Sequence, residues 1–304
     1  MPNALNRRLV LGTAQLGMPY GIANRTGQPD QKLATAIIRE AWTNGIQEFD
    51  TAQGYGISER VLGKAFSSLE ITEKVRVISK FNPELDHLNR DVMQNALDAS
   101  LNELNVPRLY GMLLHHQETI TLWEKGLKKI CYTFTDSGKV QHSGVSVYSP
   151  KAAIKALNLK GIDLIQIPSN VLDRRFEQAG VFKLARKNNK RVYIRSVFLQ
   201  GLLLIPFEGI PDNMSYAKPV LQRLNQLRQE TGLTSQEIAL GYMKMEMPEA
   251  RIILGVEQIT QLKQNLKSWG KTYPPSLIPK IKTMFMNVDE TILNPVLWPA
   301  SHFD

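Results

Sequence analysis

The feature that most constrains the fold is a regular alternation between short apolar runs and longer amphipathic ones. Eight short runs occur in order: RLVLGT (8–13), IQEFD (46–50), VRVISK (75–80), LYGMLLH (109–115), HSGVSV (142–147), DLIQI (163–167), RVYIRS (191–196) and RIILG (251–255). Each is too short for a helix and is bounded by turn residues or charges, as strands are. Between them, stretches such as KLATAIIREAWTN (32–44), VMQNALDASLNEL (92–104) and EQITQLKQNLKSW (257–269) repeat apolar residues at spacings of three and four, the helical period. Eight strands alternating with helices call for parallel pairing. At 304 residues this predicts a closed α/β (β/α)8 TIM barrel in a single domain, with a doubly wound open sheet as the alternative. The barrel is expected over 1–270. Residues 271–304, with prolines at 274, 275 and 279, are expected to form an appendage packed on it. The long interval 202–250 is read as a loop, LIPFEGIPDNMS, followed by two helices.

Composition narrows the function. The balance of 43% hydrophobic and 21% charged residues supports a sizeable core. No apolar run approaches the roughly 20 residues of a membrane span, and the start, MPNALNRRLVLGTAQ, lacks a secretory apolar region. Cys131 is the only cysteine, which excludes an internal disulfide and suits a reducing cytoplasm. The net charge of +9 fits an anionic ligand, but the basic residues are scattered and not interleaved with aromatics as in a nucleic-acid platform. A small-molecule partner is therefore expected, with no nucleic acid and no membrane. Nothing in the sequence sets the oligomeric state.

In a barrel, chemistry sits at the C-terminal ends of strands. The second, third and fourth strand candidates end in Asp50, Lys80 and His115, and Tyr55 follows in the glycine-bearing loop TAQGYG. A phenol with a pKa near 10 is neutral at pH 7 and can donate a proton, and a nearby ammonium would favour its ionised form. Aspartate helps a buried lysine keep its charge, and a neutral histidine can orient a substrate oxygen. The set suits protonating a carbonyl oxygen while hydride arrives at carbon, which no side chain can supply; a nicotinamide cofactor is implied. A metal site is not expected: His115 and His116 are adjacent and point to opposite faces of a strand.

These residues carry a family resemblance. FDTAQGYGISERVLGKAF (49–66) resembles the aldo-keto reductase signature, VISKF its lysine strand and YGMLLHH its histidine strand. The likeness continues in order through SGVSVYS, DLIQIPSN, RSVFLQGLL and ILGVEQITQLKQNL, and so covers most of the chain. It implies a (β/α)8 barrel that reduces an aldehyde or ketone with NADPH, or NADH as the less frequent alternative. By the same likeness Tyr55 is the general acid, Lys80 lowers its pKa, Asp50 holds the lysine and His115 orients the carbonyl. It further implies that Ser146 and Gln166 bind the carboxamide, that Arg195 stacks on the nicotinamide ring and that Ser196 begins the pyrophosphate-covering loop. Glu257, Gln261 and Asn265 fall on the adenosine side, where a helix beginning near Gln258 would leave N–H groups free for phosphate.

Several positions depart from the family pattern. Val147 stands where asparagine is frequent, which shifts carboxamide recognition toward Gln166. Gly255 and Gln261 replace basic residues that hold the 2′-phosphate in many members, and Lys263 faces elsewhere on its helix. The segment MPYGIANRTGQP (18–29) is expected over the barrel mouth, with Tyr20 against a substrate and Asn24 and Arg25 near its hydroxyls or phosphate. That segment resembles aldo-keto reductases associated with bacterial polysaccharide biosynthesis, which implies a sugar-derived carbonyl. Two other readings of the same residues are a cofactor-binding regulatory protein with little turnover and an aldolase-type barrel using Lys80 as a Schiff-base nucleophile.

Overall fold

The computed structural model describes residues 4–299. Its eight strands are β1 (Leu9–Gly12), β2 (Glu48–Asp50), β3 (Arg76–Phe81), β4 (Leu109–Leu114), β5 (Val140–Ser146), β6 (Leu164–Pro168), β7 (Arg191–Arg195) and β8 (Arg251–Gly255). All are parallel and paired in chain order, and β8 returns to pair with β1. That last pairing closes the barrel and excludes the open doubly wound sheet.

The period of two along each strand sorts the side chains. Val10, Ile78, Leu113, Leu164, Tyr193 and Ile253 fill the barrel interior as one buried cluster. Their outward neighbours, such as Leu11, Val77, Ile165 and Ile194, belong to the larger cluster beneath the helices. At the lower rim, buried Glu48 accepts a hydrogen bond from the Tyr193 hydroxyl at 2.9 Å and pairs with Arg76 at 3.1 Å. One step above the apolar layer, the same alternation aims Gly12, Asp50, Lys80, His115, Ser146, Gln166, Arg195 and Gly255 at the barrel axis.

The interval between β7 and β8 holds three short 3-10 turns, Leu199–Leu204, Phe207–Gly209 and Asp212–Ala217, then helices Lys218–Thr231 and Ser235–Glu246. Helix Leu277–Met284 packs on both helices through buried Leu277, Ile281 and the adjacent Phe285. Glu177 ties this tail to the barrel, accepting from Arg174, the Tyr242 hydroxyl at 2.6 Å and Lys282 at 3.0 Å. Residues 300–304 of the expected appendage lie outside the described residues.

Candidate active site

The loop after β2 is held before it reaches Tyr55. Thr51 and Gln53 donate their N–H groups to the carbonyls of Ile78 and Lys80, extending the ladder with β3. Ser58 then bonds to both the hydroxyl and the carbonyl of Thr13, and Thr51 donates to it. Glu59 accepts from Ser79 and Ser100. The Ser-Glu pair of the signature thus pins the helix Ser58–Ser68 to its neighbours. Gly56 has φ +56°, and a Cβ there would lie 2.4 Å from the Gly17 carbonyl oxygen, so only glycine permits this approach.

Beneath Tyr55, Lys80 is wholly buried and its ammonium contacts both Asp50 carboxylate oxygens at 3.0 Å and the Thr51 carbonyl at 2.7 Å. Gln166 donates to the same carboxylate at 2.7 Å. Burial pulls the Lys80 pKa below its ordinary value, and Asp50 opposes that by charge and hydrogen bonding. The ammonium lies 4.8 Å from the Tyr55 ring centroid, and the His115 ring meets that ring edge-on at 5.7 Å.

The expected lowering of the Tyr55 pKa by Lys80 is not the net effect here. Burial, and secondly the Asp50 carboxylate, raise it, while Arg195 pulls in the opposite direction. Burial dominates, and because the Lys80 contacts go to Asp50 and Thr51, a carboxylate stands beside the ammonium that would otherwise favour the phenolate. Tyr55 therefore holds its proton firmly. His115 is pushed down to about 3, first by burial and then by Lys80, His116 and Arg195, so its imidazole is neutral at pH 7. Its Nδ1 is buried without a hydrogen-bond partner.

Of the eight inward positions, β1 and β8 contribute only glycine. Gly12 and Gly255 face each other in register, leaving a slot between Arg195 on β7 and Asp50 on β2. A cavity of about 450 Å³ opens there, lined by Tyr20, Asp50, Tyr55, Arg195, Ser196 and, at its far end, Glu257, Gln261 and Asn265. A Cβ at Gly255 would fall 2.4 Å from the Gln15 amide oxygen, so Gln15 occupies the space a basic side chain there would need. Ser146 and Gln166 lie deeper, buried and paired in register, and Gln166 Oε1 has no partner.

At the helix after β8, the N–H groups expected to be free are in part already taken. Helix Ile259–Gly270 starts at Gln258, but Gln261 turns back and its Oε1 accepts from the N–H groups of Glu257 (2.9 Å) and Gln258 (3.1 Å). Gln261 is thus a cap in this structure. Asn265 is buried and accepts from Gln236 at 2.6 Å, and Lys263 lies 3.9 Å from Glu40, turned away as expected. Residues 20–23 lie against the loop after β7: a Cβ at Gly21 would meet the Gln200 carbonyl oxygen at 3.2 Å, and a Cβ at Gly201 would meet Ala23 at 2.5 Å. Ser196, Leu199 and Gln200 in that loop all have positive φ, conformations that cluster at ligand clamps.

Sequence reasoning missed Tyr148, whose ring carries the Arg195 guanidinium at 4.3 Å, and Arg228, which lines the far end of the cavity. Tyr148 had the same signal as Tyr55, an aromatic in the loop after an inward-facing polar strand end. Arg228 had none, since it lies on a surface helix distant in sequence.

A model of the Aldo/keto reductase family matches residues 8–284. An L-glyceraldehyde 3-phosphate reductase of Escherichia coli (strain K12) is 24% identical over 296 residues, covering 86% of this chain and 84% of that protein. The uncharacterized oxidoreductase YrpG of Bacillus subtilis (strain 168) is 26% identical over 293 residues, covering 86% of each. The holo form of an aldo-keto reductase from Bacillus halodurans superposes with a TM-score of 0.75 at 22% identity, covering 91% of both chains, a likeness of fold.

Proposed function

The chain belongs to the aldo/keto reductase family, oxidoreductases that reduce carbonyls with a nicotinamide cofactor, and we propose that Tyr55 is the proton donor in reducing a small, sugar-derived aldehyde or ketone. One observation carries this reading: the buried Lys80–Asp50–Gln166 network lies beneath the Tyr55 ring, which His115 meets edge-on and which itself lines the cavity. Tyr55 retains its phenolic proton until negative charge develops on the carbonyl oxygen, a stronger base than phenolate. Lys80 then stabilises the phenolate from beneath its ring. Neutral His115 carries one N–H with which to orient the same oxygen. Tyr20 and Gln200 offer the polar rim a sugar carbonyl needs, and one relative bears the name of a reductase for a phosphorylated triose.

The residues fit the cofactor. Gln166 Oε1 is a buried acceptor for the carboxamide, Ser146 lies beside it, and the cavity extends to Glu257 and Asn265 for the adenosine. The nicotinamide, when bound, supplies hydride to the carbonyl carbon. We favour NADPH, because Arg228 at the far end can take the role that Gly255 and Gln261 lack. Lys80 as a Schiff-base nucleophile is disfavoured, since its amine is buried and bonded to a carboxylate. Fluorescence titration tests the reading: NADPH should bind more tightly than NADH, and Arg228→Gln should remove most of that gap. No saturable signal with either cofactor overturns the reductase reading, whereas equal binding overturns only the preference. Turnover of an aldehyde panel separates a reductase from a cofactor-binding regulator.

A further inference from the structure

Arg195 carries a charge that nothing around it answers. Among the described residues no carboxylate pairs with it; its Nη1 donates to Ser196 Oγ at 3.3 Å, and its Nη2 is buried without a partner. One face of the guanidinium is stacked on Tyr148. Its field is felt at the reacting end, where it favours ionisation of Tyr20 and Tyr55 and opposes protonation of Lys80 and His115. Asp50 neutralises Lys80 and His115 is uncharged at pH 7, so Arg195 is the one unbalanced charge in that layer of the barrel.

The strand order says what Arg195 faces. The inward positions run Gln166 on β6, Arg195 on β7, Gly255 on β8 and Gly12 on β1. A nicotinamide that enters through the glycine slot and reaches the unpartnered Gln166 Oε1 must lie against Arg195. The oxidised ring bears a positive charge and the reduced ring bears none, while the two cofactor forms share every phosphate. Arginine stays protonated at all working pH values. We propose that Arg195 selects the redox state of the cofactor, disfavouring the oxidised form electrostatically and so committing the site to reduction. The inference rests on the cofactor reading above. Like charges in contact in a partly dry site interact strongly, and after discounting for solvent the expected preference for the reduced form is about tenfold to hundredfold. Arg195 would thereby also speed release of the oxidised product.

The experiment is a set of dissociation constants for NADPH, NADP⁺ and 2′-phospho-ADP-ribose, measured by calorimetry on the wild type, Arg195→Gln and Arg195→Lys. The expected result is a wild-type ratio of NADP⁺ to NADPH dissociation constants of about ten or more. It should fall at least fivefold in R195Q and persist in R195K. 2′-Phospho-ADP-ribose, which lacks the ring, should change far less than NADP⁺ in R195Q. An unchanged ratio overturns the proposal, as does an equal loss for all three ligands, which would make Arg195 a phosphate contact. Failure of the wild type to bind any of them would instead refute the cofactor reading itself. Circular dichroism on each variant confirms that a shifted ratio comes from a folded protein.

Discussion

Replacing Asp50 with asparagine probes the electrostatics of the site where they are strongest. Asp50 takes two contacts from Lys80 and one from Gln166, all buried. Asparagine preserves the shape but removes the charge and offers a single acceptor oxygen. The Lys80 ammonium is then left in the barrel with Thr51 as its sound partner. Breaking a buried pair on one side costs about 3–5 kcal/mol, and the surviving Thr51 contact places this case near the lower figure. The cost depends on pH in a definite sense. Burial already lowers the folded pKa of Lys80, and without Asp50 it falls further below the unfolded value of about 10.4. Between those two values the unfolded chain binds the proton and the folded variant does not, so stability rises with pH by up to about 1.4 kcal/mol per unit. Urea denaturation at pH 7, 8, 9 and 10 should therefore show a deficit relative to wild type that shrinks toward pH 10. The double variant Asp50→Leu with Lys80→Met should recover much of the loss, because no charge is stranded. A deficit below about 1 kcal/mol, or one that does not change with pH, would refute the reasoning.

Other expectations follow from the same geometry. His115 is depressed to about 3 in the folded protein against about 6.5 unfolded, so it disfavours the folded state increasingly as pH falls below 6.5. His115→Gln should flatten the loss of stability between pH 6.5 and 4, and an unaltered slope would show that His115 is not buried as described. Glu177 is held at about 2 by Arg174, Tyr242 and Lys282 against the desolvation cost of burial, so its contribution is present above about pH 4.5 and lost as pH falls toward 2. Glu177→Gln should cost about 1–2 kcal/mol at pH 7, a buried-pair value discounted for solvent screening, and raise hydrogen exchange in Leu277–Met284 first, whereas uniform exchange across the barrel would contradict its role as the tie to that helix.

Much of the fold was legible because a parallel barrel writes itself as short apolar runs separated by helical periodicity. Asp50, Lys80 and His115 could be found as polar residues ending such runs. What stayed hidden depends on side-chain choices made in three dimensions. Gln261 can cap its own helix or face a ligand, and the local sequence permits both; the structure shows the cap. Lys80 also bonds a main-chain carbonyl, which no spacing rule announces, and the burial that raises the Tyr55 pKa is a property of the closed site and not of any local pattern. The side chain that leaves room only for glycine at 255 belongs to Gln15, 240 positions away. That the Arg195 guanidinium would also stack on Tyr148 is a three-dimensional pairing between β7 and the loop after β5, which the sequence does not announce.

The central claim, that Tyr55 supplies the proton, is tested most directly by Tyr55→Phe in a single-turnover assay. NADPH deuterated at the transferred position establishes that hydride transfer limits the observed rate. The account predicts cofactor affinity within about twofold of wild type and a rate reduced by about 10²–10⁴-fold, the usual worth of general acid catalysis. A deuterium-sensitive rate close to that of the wild type would contradict it.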